Sequence, residues 1–401
     1  MSATAYSLMS FLMTLAVIHL CGTEDGGMFS IAFSSAHMLL SVAMFGMRNY
    51  QATDVTEQFD SGEYISSRII TSFAMAIVCG VYAWLMGFEA EKRIVYLLFC
   101  GVKLFEAFSD VMEGIVHRKD RLDIASKSQF LRAILLIAVF TGALLAGGSL
   151  VMASFLAFIS AAIGFFLCSF PTAQKYDRVS ISTNYRRVGE LLLQCLPLFL
   201  VAATNAYLTN APKITIDLNM DDQAQAQFAI IYMPVFTIQL VSEFIFRPQI
   251  NTMAGYFAAK EKEPFRRLIR TMTIIDGGLT LIALGGTYIF GVPVLSWIYG
   301  VDISGRKGAL LIIVLSGGFY ALTSLLCQAL TVIRRQKKLL AGYLFVSSVT
   351  AMLSGPLVEY CGLFGGAILY LLSMVLMVIC LEFFYIKAMN NPEDSRGLKI
   401  F

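Results

Sequence analysis

The sequence predicts an all-α membrane protein with twelve transmembrane helices arranged as two lobes of six helices. Composition is the first observation, because 57% of the 401 residues are hydrophobic and only 14% are charged, whereas soluble domains carry about a quarter charged residues. Second, apolar runs of about 20 residues, the length that crosses a bilayer as a helix, recur from end to end. Third, connections rich in lysine and arginine alternate along the chain with connections that are poor in them.

Apolar runs bounded by charged residues, glycine or proline divide the chain into twelve candidate spans. The longest polar stretch, residues 171–187, is too short to form a soluble domain, so the whole chain is interpreted as membrane domain. Numbered 1 to 12, the spans cover residues 4–22, 27–47, 66–87, 94–116, 126–147, 149–170, 188–209, 226–247, 268–290, 308–333, 339–358 and 363–387.

The cations indicate an orientation, since short cytoplasmic loops carry an excess of Lys and Arg. The connections after spans 2, 4, 6, 8 and 10 are basic, and those after the odd-numbered spans are poor in cations or acidic. Lys92-Arg93 and Arg306-Lys307 are mild exceptions. The pattern predicts that both the N-terminus and the C-terminus are cytoplasmic.

The two halves of the sequence look related. Arg48 and Arg247 are separated by 199 residues, and so are Arg68 and Arg267. Two arginines that match at one offset, across loops of equal length, favour duplication of a six-helix unit. We therefore predict an N-terminal lobe at 1–185 and a C-terminal lobe at 186–401. Parallel repeats of this kind are typical of transporters that work by alternating access, with the site between the halves.

Charged side chains interrupt span 4, in the stretch VKLFEAFSDVME at 102–113. At about 100° per residue, Lys103, Glu106, Asp110 and Glu113 fall within an arc of roughly 80° and form one stripe. Such charges cannot face lipid, so the stripe must face a water-filled cavity or paired neighbours. Lys103 and Glu106 could simply neutralise each other and hold helices together. One lysine cannot neutralise three carboxylates, however, so further cations or water are required.

Other polar residues are candidates for a central cavity. Gln239, Glu243 and Arg247 are spaced by four residues in span 8 and share one helix face. Arg48 and Arg68 lie near the predicted cytoplasmic ends of spans 2 and 3. Each arginine alone could be an ordinary membrane anchor, but together they suit bidentate recognition of phosphate. A further candidate in span 9 is Asp276, which precedes Gly277-Gly278.

No catalytic pattern supports an enzyme. The sequence has no GxxxxGK[ST] phosphate loop, no HExxH and no GxSxG motif. Its three histidines show no metal-ligand spacing. We expect no catalytic residue, no metal site and no bound cofactor, and no nucleic-acid partner. A proton gradient, a sodium gradient or the membrane potential would then supply the energy, with Glu106 or Asp110 as the coupling carboxylate.

Several segments resemble one transporter family. FGMRNYQATD (45–54), EYISSR (63–68), GIVHRKDRLDIASKSQFLR (114–132) and AQFAIIYMPVFTIQLVSEFIFRP (226–248) are similar to the polysaccharide flippase branch of the MOP exporter superfamily. That branch includes the Wzx-type transporters of lipid-linked oligosaccharides. The resemblance extends over the whole chain. The twelve predicted spans depart from relatives with fourteen, such as the lipid II flippases.

The resemblance implies a two-lobed bundle whose cationic cavity carries undecaprenyl-pyrophosphate-linked oligosaccharide repeat units across the bacterial cytoplasmic membrane. It places Arg48 and Arg68 at the family's R-x-Y-Q segment and following arginine, and Arg247 at the basic end of span 8. The polymer would be a capsule, O-antigen or exopolysaccharide. Membrane lipid, a polysaccharide polymerase and chain-length proteins would be the other partners.

Two other functions are kept as alternatives. A cation-coupled multidrug antiporter of the MATE branch commonly uses a carboxylate in span 1, or in spans 7 and 10, and those spans carry none in their middle. A membrane glycosyltransferase or O-antigen polymerase usually needs a large loop for catalysis, which this sequence does not offer. We therefore favour the flippase.

Overall fold

The computed structural model describes residues 2–53, 58–119, 121–246 and 248–390. Within these ranges the chain is helical and contains no β-strand. The first helices are α1 (Ser2–Cys21), α2 (Thr23–Met44), α3 (Met47–Thr53), α4 (Ser61–Leu85), α5 (Ala90–Arg118), α6 (Leu122–Leu145), α7 (Leu150–Gly164), α8 (Phe170–Gln174) and α9 (Tyr185–Asn219).

The remaining helices are α10 (Asp222–Phe246), α11 (Gln249–Ala258), α12 (Lys262–Gly286), α13 (Val292–Tyr299), α14 (Lys307–Val332) and α15 (Gln336–Asn390). One π-helical turn, Phe165–Ser169, joins α7 to α8, and another, Thr287–Gly291, joins α12 to α13. The helix α15 is broken at Gly362, whose φ of 57° lies in the left-handed region that favours glycine. This break falls between predicted spans 11 and 12.

Nine helices of the described chain are long and apolar enough to cross a membrane, which indicates a multi-pass membrane protein. Helix also occupies most of each of the twelve predicted spans within those ranges. Helix α5 is not among the nine, because its centre carries Lys103, Glu106 and Asp110. The number of crossings and the cytoplasmic location of the termini remain predictions.

The surface of α4 shows how a membrane helix divides its faces. Phe73, Trp84 and Leu85 are 69%, 77% and 68% exposed, which would be unfavourable in water but suits lipid. The opposite face buries polar side chains, including Thr71 and Arg68. The helix begins at a capping box in which Asp60 and Glu63 each bond the other's backbone N–H. Polar groups thus lie inside and apolar groups outside.

The chain forms two compact units, Met1–Gln227 and Phe228–Phe401. The first unit includes α9 because this helix packs against α2 and α4. The rings of Phe45 and Phe199, for example, stack with centroids 4.4 Å apart. The predicted lobe boundary after residue 185 concerns an ancestral duplication and stays a prediction.

Helix α9 is longer than span 7, which was predicted to end at 209. The apolar run ends there, but the helix continues to Asn219. Polar side chains of this last part hydrogen-bond to carbonyls one turn earlier, as Thr215 does to Ala211 and Asn219 to Thr215. The side-chain donors of this last part thus find acceptors within the helix, and the helix brings Lys213 against α2.

An aromatic cluster fixes α2 against α5 and α6 in the first unit. Phe29 lies 5.3 Å from Phe99 and 5.5 Å from Phe140, measured between ring centroids. All three side chains are fully buried, and such aromatic pairs stabilise a core beyond the area that they bury. This cluster lies one to two turns of α5 from Lys103 and so sets the position of the charged stripe.

Candidate functional site

The charged stripe of α5 is a row of ion pairs. Lys103 Nζ lies 2.7 Å from Glu106 Oε2, within the helix. The Lys103 side chain is fully buried, and its ammonium also lies 4.9 Å from the centroid of the Phe33 ring. The Glu106 side chain is 30% exposed. Glu106 is therefore the more accessible member of the pair, whereas the lysine lies inside the unit.

Asp110, two turns after Lys103, meets two arginines. Arg68 Nη2 on α4 lies 2.7 Å from Asp110 Oδ2, and Arg68 also donates to the carbonyl of Ala43. Arg48 Nη1 on α3 donates to the Asp110 carbonyl at 2.6 Å and lies 3.7 Å from its carboxylate. The Arg68 side chain is fully buried, whereas that of Arg48 is 27% exposed. The trio of Arg48, Arg68 and Asp110 carries one net positive charge, and Arg48 is the cation of the trio that is partly exposed.

Glu113 closes the stripe one turn further along. Its carboxylate is 8% exposed and pairs with Arg132 of α6. The three carboxylates thus have cationic partners on α3, α4, α5 and α6. This confirms that one lysine does not neutralise the stripe. Because an ion left unpaired in a buried site is strongly destabilising, the stripe also binds α5 to its neighbours.

Two groups of polar residues in the first unit were missed in the sequence. Lys213 of α9 is 7% exposed and donates to Ser34 Oγ of α2 at 3.0 Å. Lys92 of α5 lies 2.5 Å from Asp217 Oδ1 and 2.7 Å from Asp222 Oδ1. In the sequence, Lys92 stands out only as an exception to the alternation of cations. A cation in a connection facing acidic residues was the signal that could have revealed this ion pair.

A cavity of about 610 Å³ lies beside Lys92, at the end of the first unit predicted to be external. Five of its lining residues are acidic and one is basic. It is lined by Thr23, Glu24, Met86, Gly87, Phe88, Glu89, Lys92, Asp217, Met220, Asp221, Asp222 and Gln223.

The candidate residues of the second unit are placed differently. Asp276 on α12 is 4% exposed and lies 3.3 Å from Ser242 Oγ on α10. Gln239 and Glu243, also on α10, are partly exposed. Arg247 lies outside the described residues. The structure therefore gathers Arg48, Arg68 and Asp110 in one contact network, with Lys103 and Glu106 on the same helix face, and sets Asp276 in a separate environment.

The fold is that of transporters of the MOP superfamily. No protein-family model matches the sequence, and no curated protein matches it. Solved structures match over nearly the whole chain, at 13–14% identity for the three given next. Likeness at this level of identity shows the fold alone.

Three of these structures show the range of transporters with this fold. The lipid II flippase MurJ, in an inward closed conformation, has a TM-score of 0.73 and 14% identity, covering 97% of this chain and 88% of that one. An inward-facing multidrug resistance MATE family transporter of the MOP superfamily has a TM-score of 0.71 and 14% identity, covering 99% and 96%. A MOP superfamily transporter from Pyrococcus furiosus, described as having a binding pocket of reverse polarity, has a TM-score of 0.61 and 13% identity, covering 99% and 94%.

Proposed function

We propose that this protein is a flippase for undecaprenyl-pyrophosphate-linked oligosaccharide repeat units. It translocates them across the bacterial cytoplasmic membrane by alternating access, for capsule, O-antigen or exopolysaccharide synthesis. The fold likeness to the lipid II flippase MurJ supports transport of a lipid-linked substrate. The resemblance of residues 45–54 and 63–68 to polysaccharide flippases supports an oligosaccharide as the group attached to the lipid.

The observation that carries the proposal is the trio of Arg48, Arg68 and Asp110. Its net charge is positive, and the guanidinium group of a partly exposed arginine can bind phosphate through two parallel hydrogen bonds. Arg48 is the phosphate-binding member because 27% of its side chain is exposed. Arg68 is fully buried and acts as a positioning residue that holds the Asp110 carboxylate. Glu106, one turn before Asp110 on α5, lines the route of the sugars, and the fully buried Lys103 positions its carboxylate.

Complementation of a deletion strain tests this function. Arg48→Ala should abolish surface polysaccharide and lead to lipid-linked repeat units accumulating on the inner leaflet. Arg186→Ala is the matched control, since the Arg186 side chain is 89% exposed and meets only Glu190, 3.3 Å away, among its described contacts. Membrane levels of both variants should equal wild type. Full polymer synthesis by Arg48→Ala would refute the assignment of Arg48 as the pyrophosphate contact.

The multidrug antiporter is the competing function, since MATE transporters share the fold. The deletion strain separates the two functions directly. A flippase predicts loss of surface polymer with unchanged drug susceptibility. Increased drug susceptibility with intact polymer would replace the flippase assignment by the antiporter. Loss of repeat-unit synthesis itself, with nothing accumulating, would instead indicate an enzyme.

A further inference from the structure

The second unit contains a buried acid in an environment unlike that of the α5 stripe. Asp276 of α12 is 4% exposed, and Ser242 is its hydrogen-bond partner among the described residues, 3.3 Å away. The three carboxylates of the stripe, Glu106, Asp110 and Glu113, each lie close to a lysine or arginine. In the described part of the chain, Asp276 forms no such ion pair.

The elements around α12 bring few charges towards Asp276. Helix α11 carries no charged residue. The only charge of α14 is Lys307, which lies eleven residues, or about 16 Å along the helix, before Gly318, the α14 residue that contacts Thr280 of α12. Arg270, on α12 itself, precedes Asp276 by six residues. The charged and titratable groups on the elements beside α12 are Asp222, Tyr232 and Glu243 on α10, Tyr256 on α11, Tyr288 in the π-helical turn, Lys307, Tyr320 and Cys327 on α14, and Lys337, Lys338, Tyr343, Glu359, Tyr360, Cys361, Tyr370, Cys380, Glu382, Tyr385 and Lys387 on α15.

A second polar group lies one helical turn from Asp276. Thr280 is 7% exposed, and its Oγ1 has no hydrogen-bond partner among the described residues. Residues four apart lie on the same helix face, so Thr280 shares the face of α12 that carries Asp276. Gly318 of α14 makes room for it, because a Cβ at that position would lie 2.2 Å from Thr280 Oγ1. A buried hydroxyl without a partner is uncommon in folded proteins.

We infer that Asp276 binds and releases a proton, with Ser242 and Thr280 as the hydroxyls that serve its two forms. The protonated carboxyl group is neutral, needs no counter-ion, and donates its O–H to Ser242 Oγ. After the proton leaves, the carboxylate accepts hydrogen bonds from the hydroxyls of Ser242 and Thr280. The Thr280 hydroxyl, which has no hydrogen-bond partner among the described residues, would then donate to the charged form of Asp276.

The ligand set favours a proton over a metal ion. One carboxylate and two hydroxyl groups supply only four side-chain oxygens and a single negative charge. No cluster of three or more His, Cys, Asp or Glu residues suited to a metal occurs within the described ranges. In the proposed flippase, this proton would be the coupling ion, and Asp276 would carry it instead of Glu106 or Asp110. That assignment of coupling rests on the proposed function, whereas the proton site itself does not.

Infrared difference spectroscopy on the purified full-length protein tests the site without any substrate. A pH change should produce a protonated-carboxyl band that Asp276→Asn removes. Asp302→Asn is the matched control and should retain the band, because Asp302 lies in a loop of the same unit and accepts a hydrogen bond from the Ser304 N–H at 2.9 Å. Thr280→Val should move the midpoint of the band to higher pH, because the charged form loses a donor, whereas Thr280→Ser should leave it unchanged.

Three results would overturn the proton site. They are a band that persists in Asp276→Asn, a midpoint that Thr280→Val does not move, and removal of the band by sodium at constant pH. If Asp276→Asn does not fold, the Thr280 variants decide the matter alone.

Proteoliposomes containing a labelled lipid-linked oligosaccharide separate the site from the function. An imposed pH gradient should accelerate flipping by the wild-type protein, and Asp276→Asn should abolish this acceleration. If the wild type does not flip the lipid, the proposed function fails while the infrared result still decides the site. If the wild type flips and Asp276→Asn retains the acceleration, coupling through Asp276 is wrong and the flippase function stands.

Discussion

Arg68 Nη2 lies 2.7 Å from Asp110 Oδ2, and none of the Arg68 side chain is exposed. The contact joins α4 to α5, and the carbonyl of Ala43 on α2 accepts a further hydrogen bond from Arg68. One guanidinium group therefore connects three helices of the first unit. Its primary role is to keep these helices together and to orient Asp110 towards Arg48.

Removing Arg68 alone should destabilise the protein more than removing both members of the pair. Arg68→Met leaves a mostly buried carboxylate with only the more distant Arg48, and breaking such a pair costs about 3–5 kcal/mol. The double variant Arg68→Met/Asp110→Leu removes both charges and should recover part of this loss. Thermal unfolding in detergent gives the comparison, with Arg186→Met as an exposed control. A double variant that is less stable than Arg68→Met would contradict the argument.

The two members of the Lys103–Glu106 pair should respond unequally to substitution. Glu106→Gln leaves the ammonium of Lys103, which is fully buried, without its carboxylate partner. Lys103→Gln leaves Glu106, which is 30% exposed and can be hydrated. We therefore expect Glu106→Gln to lower the unfolding temperature more than Lys103→Gln. Equal effects would mean that Lys103 is stabilised mainly by other contacts, such as the Phe33 ring.

At the predicted external end, Asp217 should contribute more stability than Asp222, although both contact Lys92. The Asp217 side chain is 4% exposed and that of Asp222 is 24% exposed, and water screens the more exposed pair. Double-mutant cycles of Lys92→Met with Asp217→Asn and with Asp222→Asn would measure the two coupling energies. The ranking would be wrong if the Asp222 cycle gave the larger value.

Gly318→Ala should be destabilising, and a change at Thr280 should partly reverse it. The added methyl group would lie 2.2 Å from Thr280 Oγ1, and overpacking of this kind costs about 1–3 kcal/mol. Since that neighbour is a side chain, Gly318→Ala/Thr280→Ala should unfold at a higher temperature than Gly318→Ala.

Two other glycines serve as controls for this prediction. At Gly27 a Cβ would lie 1.8 Å from the backbone carbonyl oxygen of Asp222, which no side-chain change can remove. Gly27→Ala should therefore have no suppressor at a side chain. Gly80 has nothing within 4 Å of an added Cβ, and Gly80→Ala should be tolerated. Destabilisation by Gly80→Ala equal to that of Gly318→Ala would refute the steric explanation.

The helices were predictable because apolar runs and helical periodicity are local properties of the sequence. The stripe on α5 followed from the spacing of Lys103, Glu106 and Asp110 along one helix. The cationic partners of the stripe could not be predicted in this way. Arg68 and Arg132 belong to other helices, and the spacing of residues along α5 does not specify how those helices pack. The burial of Arg68 is likewise a tertiary property.

Residues beyond the apolar runs were the hardest to place. Lys213 follows the predicted end of span 7, and only the continued hydrogen bonding of α9 makes it part of a helix. The sequence identifies Asp276 as a candidate. It does not show that Asp276, unlike Glu106 and Asp110, packs against neighbours that carry no charge in the described part of the chain. That Asp276 has no charged partner among the described residues is visible only once the helices are assembled.

The ion pairs of α5 also have a consequence for synthesis of the chain. Arg48 and Arg68 are translated before Asp110, so its partners are already present when α5 leaves the ribosome. Arg132 is translated after Glu113, which must wait for α6. Because an unpaired charge within the bilayer costs a few kcal/mol or more, α5 is poorly suited to enter lipid alone. Its insertion should therefore be delayed until α4 and α6 flank it at the translocon.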